Sequence, residues 1–153
     1  MMYLHCPVTD WLEIRTSLEA GFGMELRDGY WDDQDWLDVY LWCEGDLIKG
    51  GVIMLNTPYG VRLLSKIWVE PKFRGTGVAS KMWAFIEKEY AEFFWRSLKA
   101  NECVPWYLKN ATKHIEYRDR YIYFKYVEKN TIKDCYELAV WAFNLPFDFV
   151  RTG

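Results

Sequence analysis

The segment from Lys66 to Ala79 constrains the fold more than any other part of this chain, because it joins a strand pattern to a glycine-rich turn and then to a helical pattern. Glycines at positions 75 and 77 allow an anion to come close to the main chain. The first turn of a helix offers free N–H groups at the positive end of the helix dipole. The segment therefore predicts a cradle for a pyrophosphate, to which Arg74 adds a cationic contact.

Two other nucleotide-binding patterns are absent from this turn. It lacks the lysine and hydroxyl pair of a nucleotide P-loop. It does not read G-x-G-x-x-G, which disfavours a dinucleotide site of the Rossmann type. The two glycines taken alone leave open a tight strand–helix turn that binds no ligand.

Length and charge narrow the class of protein. The chain has 153 residues, so we expect a single domain spanning 1–153. Residues 1–60 carry 3 basic and 11 acidic side chains, whereas residues 61–153 carry 16 basic and 11 acidic ones. An anionic ligand is therefore expected on the second part, where the glycine turn lies. The overall net charge of -3 argues against a general nucleic-acid binder.

The cysteine, histidine and apolar patterns predict the redox state, metal content and location of the protein. The four cysteines form no C-x-x-C pair, so we expect reduced and mostly buried thiols in a cytoplasmic protein. Only two histidines are present, and no metal site is expected. The first seven residues do not resemble a signal peptide, and no apolar stretch approaches the length of a membrane span, so no membrane partner is expected.

The order of apolar patterns predicts a mixed sheet with helices on both faces. Residues 24–34 are expected to form an exposed loop or a loose helix. The predicted strands are 2–6, 35–43, 47–55, 61–69, 93–98, 121–127 and 147–151, and the predicted helices are 8–20, 78–90, 106–114 and one beginning after Thr131.

The glycine segment resembles a known family. Val69-Glu70-Pro71 followed by Arg74-Gly75-Thr76-Gly77-Val78-Ala79 is similar to motif A of the GCN5-related N-acetyltransferases (GNAT), R/Q-x-x-G-x-G/A. The resemblance implies the GNAT fold, an α/β (α+β) domain with a mixed sheet of about six to seven strands flanked by about four helices. It also implies acetyl-coenzyme A as the cofactor, bound by Val69, Arg74, Gly75, Thr76, Gly77, Val78 and Ala79.

A closer resemblance covers residues 64–149. Several short motifs are similar, in order, to the acetyltransferase domain of animal-type N-acetylglutamate synthases: Phe94-Trp95-Arg96-Ser97, Asn101, Pro105-Trp106-Tyr107, Asp134-Cys135-Tyr136-Glu137-Leu138 and Leu145-Pro146. Those enzymes carry an amino-acid-kinase domain in front of this one. Since only about 60 residues precede motif A here, we expect a free-standing transferase module.

By that resemblance, the residues that hold an amino-acid substrate are Lys66, Ile67, Arg96 and Asn101. The two cations suit the carboxylates of an amino dicarboxylic acid such as glutamate. The family pattern has a second arginine two residues after the first, where this chain has Leu98. Because residues 96 and 98 share a strand face, one carboxylate partner is missing, and the motif departs from the pattern that binds glutamate.

The resemblance also assigns catalytic roles. Tyr107 is expected to act as the general acid toward the coenzyme A sulfur, with a backbone N–H near Val69 stabilising the oxyanion. Glu70 and a water chain are alternative bases. The expected partner is a small amine such as glutamate or a related amino acid. A second copy of this chain, in a homodimer, is also among the expected partners. The open alternatives are a polyamine, a protein lysine or a modified base, and a non-catalytic binding or inhibitory module.

Overall fold

The computed structural model describes residues 11–30, 36–126 and 132–150, which form one six-stranded sheet with helices on both faces. The helices are α1 (Trp11–Phe22), α2 (Val78–Glu89), α3 (Val104–Asn110) and α4 (Ile132–Phe143), with a short 3-10 helix at Pro71–Phe73. The strands are β1 (Trp36–Glu44), β2 (Leu47–Leu55), β3 (Arg62–Val69), β4 (Glu92–Leu98), β5 (Lys113–Tyr117) and β6 (Arg120–Tyr126).

The sheet has the order β1-β2-β3-β4-β6-β5, and its central pair differs from the others. Strands β3 and β4 are parallel, whereas the other neighbours are antiparallel. The parallel pair is joined only through Arg62 with Phe93 and Leu63 with Phe94. From Leu64 onward, β3 therefore has no partner strand on its β4 side, and a gap opens inside the sheet.

Hydrophobic cores lie on both faces of the sheet. One core contains Leu18 of α1 and Leu138 of α4, and the other contains Met82 and Ile86 of α2. The apolar side chains of α1, α2 and α4 recur near a 3.6-residue period, so each of these three helices buries one stripe against the sheet. The result is the three-layer arrangement that a mixed sheet requires when both of its faces are apolar.

The indole of Trp68 fixes α1 against the sheet. A Cβ added at Gly51 would lie 2.4 Å from Cη2 of Trp68, and one at Gly21 would lie 2.9 Å from its Cδ1. Glycine at both positions therefore lets the ring lie flat between α1 and β2. The Nε1 of Trp68 donates a hydrogen bond to Oγ of Ser17 on α1 at 3.0 Å, so the ring also satisfies its polar atom.

Most predicted elements are confirmed. The expected strand at 47–55 coincides with β2, and the six strands and four α-helices of the described residues agree with the predicted six to seven strands and about four helices. The predicted helix at 106–114 is wrong at its end, because α3 stops at Asn110 and His114 lies in β5. The predicted strand at 2–6 lies outside the described residues.

Two predictions for the chain outside the sheet are corrected. The described part of the 24–34 segment follows the loop alternative rather than the helix, but it is not exposed throughout, because Leu26 is buried and makes an isolated antiparallel bridge with Phe149. Within the described residues, the predicted strand at 147–151 forms only this bridge and two backbone hydrogen bonds. The N–H of Arg27 donates to the carbonyl of Asp148, and the N–H of Val150 donates to the carbonyl of Glu25. The C-terminal segment is thereby tied to the chain that follows α1.

The cysteine prediction is wrong in part. Cys43 is disulfide-bonded rather than reduced. Cys103 is a free thiol but is exposed, whereas Cys135 is free and buried as expected. Cys6 lies outside the described residues. Among the described helices, none combines the length and the apolar character needed to cross a bilayer.

Replacing Trp68 by alanine tests its role as the contact that positions α1. The side chain is only 3% exposed, so the Trp68→Ala variant should lose about 3–5 kcal/mol of unfolding free energy through the cavity left behind. Denaturant unfolding measures this loss. Tyr59→Ala is the matched control, because that ring is 47% exposed and its removal should change stability by less than about 0.5 kcal/mol. Equal losses in the two variants would contradict the assignment.

Candidate active site

A cavity of about 280 Å³ occupies the gap between the separated halves of β3 and β4. It brings together five residues that the sequence analysis selected, namely Lys66, Ile67, Arg96, Asn101 and Tyr107. Its other walls include Phe22 at the end of α1, Met24 just after that helix, and the C-terminal segment 147–149. Separation of the two strands thus creates the space, and segments from distant parts of the chain close it.

A buried ion cluster lies on the wall of this cavity. The Nζ of Lys66 is 2.5 Å from Oδ2 of Asp148, and a guanidinium nitrogen of Arg96 is 3.4 Å from the same oxygen. The side chains of Lys66 and Asp148 are 5% and 11% exposed. The rings of Tyr30 and Phe149 flank the Lys66 ammonium, with centroids at 5.1 and 5.3 Å. A charge this deeply buried requires such a partner, and Asp148 provides it.

The guanidinium of Arg96 also holds the end of α4 and the segment that follows it. One terminal nitrogen donates to the carbonyl oxygens of Ala142 and Leu145, each at 3.2 Å. The other donates to the carbonyl oxygen of Pro146 at 2.7 Å. Arg96 therefore satisfies carbonyls that have no intrahelical partner at the helix end, and it positions Asp148 against the cavity.

The same contacts set the ionisation of the cluster. Burial lowers the pKa of the Lys66 ammonium, although the nearby Asp148 carboxylate opposes that effect. Burial alone would raise the pKa of the Asp148 carboxyl, but the charges of Lys66 and Arg96 outweigh it and hold the pKa below the ordinary value of 3.8. Asp148 is thus a carboxylate at neutral pH, and its charge is part of the site.

A third cation reaches the cavity from β6. Arg120 pairs across strands with Leu98, the position where the resemblance implied an arginine, and both residues line the cavity. The side chain of Arg120 is 24% exposed, and its Nε is 3.8 Å from a carboxylate oxygen of Asp119. The fold therefore supplies a cation from the neighbouring strand beside the leucine of β4.

Tyr107 is held in the cavity by neighbouring rings. Its ring centroid is 5.3 Å from that of Tyr123 and 6.0 Å from that of Trp95. Burial raises the pKa of the Tyr107 phenol well above its ordinary value, and the nearby Cys103 and Tyr123 add to the effect. The phenol therefore keeps its proton at neutral pH, as a proton donor requires.

Asn101 lies in the turn before α3. Its Oδ1 accepts a hydrogen bond from the backbone N–H of Cys103 at 2.8 Å, while the residue also lines the cavity. Glu70 lies elsewhere. Its Oε2 accepts a hydrogen bond from Oγ of Ser17 at 3.1 Å, and it does not line the cavity that contains Tyr107.

The glycine turn is open at the start of α2. Gly75 and Gly77 have φ values of 79° and 86°, and a Cβ added to either would meet nothing within 4 Å. Residues 74–77 and 79–80 are exposed, and no side chain caps the helix at Gly77. The first N–H groups of α2 consequently lack an intrahelical acceptor and belong to an exposed turn.

Cationic groups stand near this turn. A guanidinium nitrogen of Arg74 donates to the carbonyl oxygen of Gly21 at 2.7 Å, which connects the turn to the end of α1. A second cavity of about 490 Å³ adjoins the turn, where Thr76 is accompanied by Lys49 and Lys81. Free N–H groups, the helix dipole and these lysines together suit an anionic group. Within the described residues, no group of three or more His, Cys, Asp and Glu side chains is placed to hold a metal ion.

Sequence reasoning missed Asp148 and Arg120. Asp148 stands between Phe147 and Phe149, and an acid inside such an apolar run is the one local signal that it is buried with partners. Arg120 could be found only by pairing β4 with β6, which the sequence does not specify. Both residues enter the cavity through tertiary contacts.

A mixed sheet that separates beside an anion-binding helix start defines the class of protein, the GNAT fold. Ribosomal-protein-S18-alanine N-acetyltransferase from Escherichia coli shares this fold, with a TM-score of 0.64 over 96% of this chain and 100% of that one, at 12% identity. A family model described as the N-acetyltransferase of N-acetylglutamate synthase matches residues 8–139. The chain therefore belongs to that family, which confirms the resemblance.

Two further comparisons concern N-acetylglutamate synthases. The mitochondrial enzyme of Mus musculus is 27% identical over 139 residues, which are 88% of this chain but only 25% of that protein. The Neisseria gonorrhoeae enzyme, solved in complex with coenzyme A and N-acetyl-glutamate, has a TM-score of 0.62 and 10% identity over 84% of this chain and 35% of that one. This chain thus corresponds to one part of those longer proteins.

Acid unfolding tests the buried ion cluster. Because the pKa of Asp148 is lower in the folded state than in the unfolded one, its contribution to stability is present above the unfolded pKa and is lost as pH falls through the folded pKa. The Asp148→Asn variant should be less stable than the unmodified protein by about 3–5 kcal/mol near pH 7. We expect this difference to shrink as the pH falls below the ordinary value of 3.8.

Unfolding free energies measured at neutral pH and below pH 3.8 provide the comparison. The exposed Asp46 offers a control, since Asp46→Asn should change stability by less than about 0.5 kcal/mol at either pH. A difference for Asp148→Asn that stays constant over this range would mean that the carboxylate is not paired as described.

Proposed function

We propose that this chain is an acetyl-coenzyme A-dependent N-acetyltransferase that acts on the amino group of a small, amino-acid-like acceptor. One observation carries the proposal. The open glycine turn follows the end of β3, and the unpaired half of the same strand lines a cavity that contains Tyr107. A site for an anionic cofactor and a site for a small acceptor therefore share one strand.

The residues at the turn suit the pyrophosphate of coenzyme A. The exposed N–H groups of Gly75, Gly77 and the first turn of α2 are the groups that would hold it. Val69 ends the strand that leads to them, and Thr76 and Lys81 stand beside them. When bound, the cofactor supplies a thioester acetyl group, which an uncharged amine can attack. The cofactor seen in the Neisseria gonorrhoeae structure supports this proposal.

Tyr107 is the proposed general acid. Its raised pKa keeps the proton on Oη at neutral pH, where it is available to a leaving thiolate. Packing against Trp95 and Tyr123 limits the rotamers of the ring and so holds Oη in place. Because Glu70 is hydrogen-bonded to Ser17 outside the cavity, we propose that solvent in the open cavity, rather than Glu70, removes the proton of the amine.

The acceptor is proposed to be a small amino acid because its cavity is small and charged. About 280 Å³ suits a single amino acid better than a folded protein segment. Lys66, Arg96 and Arg120 give the walls an excess of positive charge over Asp148, so a carboxylate-bearing amine fits better than a polyamine. Two of the acidic residues that the structure describes within 24–38 have a cation of this chain nearby, since Asp28 is 3.5 Å from Arg15 and Asp38 is 3.9 Å from Arg62.

Replacing Gly77 by valine tests the cofactor site. The side chain would project into the space over the N–H groups, and we expect the thermal stabilisation by acetyl-coenzyme A to be lost. Gly60→Val is the matched control, because Gly60 has a similar φ of 78° with nothing within 4 Å of an added Cβ, at the opposite end of β3. Both variants carry the same backbone strain, so only a binding site at the turn distinguishes them. Stabilisation retained in Gly77→Val would count against the proposed cofactor site.

Replacing Tyr107 by phenylalanine tests the general acid. Removal of Oη should lower turnover by about 10²–10⁴-fold while stabilisation by acetyl-coenzyme A is kept. The measurement is coenzyme A release over a panel of amino acids and amines. Tyr117→Phe removes the hydroxyl of a ring that is 42% exposed on β5 and should leave turnover unchanged. Normal turnover in Tyr107→Phe would remove Tyr107 from the role of proton donor.

A further inference from the structure

We propose that Asp148 and Arg120 together determine which acceptor the cavity takes. Asp148 occupies the two cations that a side-chain carboxylate would need, and Arg120 binds the one carboxylate that remains. The acceptor class is then an α-amino acid with an uncharged side chain rather than an amino dicarboxylic acid. This inference rests on the proposed function and specifies its substrate.

The first support is that the three donors of the Lys66 ammonium already have acceptors within the protein. Its ammonium contacts Oδ2 of Asp148 at 2.5 Å and donates to the carbonyl oxygen of Ser65 at 2.9 Å, with the Ser65 hydroxyl at 3.5 Å. An ammonium has three donors, and these three acceptors account for them. A carboxylate from the acceptor could bind Lys66 only by displacing Asp148 from a buried contact.

The terminal nitrogens of Arg96 also have acceptors within the protein. Both of its terminal nitrogens donate to carbonyl oxygens of residues 142–146, and one of them also contacts Asp148. These bonds use the fork of donors that would otherwise form a bidentate pair with a carboxylate. An arginine that holds three main-chain carbonyls is not available to a substrate without releasing the end of α4.

The charge of Asp148 adds repulsion to this loss of partners. A second carboxylate placed near Lys66 and Arg96 would lie close to a buried carboxylate, and like charges at short range in a protein interior are strongly unfavourable. Asp148 therefore takes the place of an acceptor carboxylate within the fold itself. A neutral amide of the same shape avoids that repulsion.

Arg120 differs from the other two cations. Within the described part of the chain, its one charged contact is Asp119 at 3.8 Å, and that carboxylate is 76% exposed. Exposed pairs of this kind contribute little, so an incoming carboxylate can compete for the guanidinium. The cross-strand partner of Arg120 is the uncharged Leu98, which offers the guanidinium no charged contact.

The rest of the cavity favours an uncharged side chain. Its remaining walls include Phe22, Met24, Ile67, Phe147 and Phe149. Such rings and aliphatic groups gain from apolar contact and offer no partner to a negative charge. The rest of the lining is also uncharged, since its polar members are the neutral Ser65, Ser97, Asn101 and Tyr107. One carboxylate site and an uncharged remainder together describe a neutral amino acid.

The test compares glutamine with glutamate, which have similar shapes and differ in side-chain charge. For the unmodified protein we expect kcat/KM for coenzyme A release to be at least about tenfold higher with glutamine. In Asp148→Asn this preference should fall by at least about tenfold, because the repulsion is removed. A preference for glutamate in the unmodified protein would overturn the proposal, and this comparison holds even where Asp148→Asn does not fold.

Arg120→Gln tests the remaining cation. We expect a rise in KM of at least about tenfold for glutamine, with stabilisation by acetyl-coenzyme A unchanged. Arg118→Gln removes the same charge from the same hairpin at an exposed position outside the cavity, and it should leave KM unchanged. Equal KM values in Arg120→Gln and the unmodified protein would overturn the assignment of Arg120.

A binding measurement separates this inference from the proposed function. Where no amino acid releases coenzyme A, the proposed function fails, and thermal shifts with glutamine or glutamate in the presence of coenzyme A decide the inference. Stabilisation by glutamine that exceeds that by glutamate and disappears in Arg120→Gln supports it. A larger shift with glutamate, or no shift with glutamine, overturns it.

Discussion

The two residue pairs that join β3 to β4 are the constraint on which the site depends. Only Arg62 with Phe93 and Leu63 with Phe94 connect the two halves of the sheet. Unpaired main-chain groups at the interior of a sheet must find other partners or water, so the gap beyond them is polar and open by necessity. A cofactor that pairs with a strand edge is the kind of ligand such a gap can accept.

Opening the sheet creates a problem of buried charge that the C-terminal segment solves. Lys66 points from β3 into protein of low polarity, where an unpaired ammonium would be very unfavourable. Asp148 supplies the opposite charge, and Arg96 fixes the segment that carries it through carbonyls at the end of α4. The bridge between Leu26 and Phe149 ties this segment to the chain after α1. The same residues therefore form the cavity wall and the ion cluster.

Short sequence patterns predict the structure correctly where it depends on local backbone geometry. The turn at Gly75 and Gly77 was predicted because positive φ and helix-start geometry are written into neighbouring residues, and β2 was predicted from simple alternation. Strand β5 was missed because five residues next to a short helix give too little pattern to separate from that helix. The disulfide at Cys43 was missed because cysteine spacing does not specify pairing.

The proposed acceptor site depends instead on residues that are far apart in the sequence. Resemblance selected Lys66 and Arg96 by residue type, and the structure brings both to the cavity, yet what they can bind depends on Asp148, which lies 82 residues from Lys66 in sequence. A carboxylate that the chain supplies is chemically equivalent to one that a substrate would bring. Two proteins with the same cations in the same motif can therefore take different acceptors, according to whether a distant acid already neutralises them. On the proposal made above, the acceptor of this chain depends on the net positive charge that remains on the cavity wall, and Arg120 carries that charge.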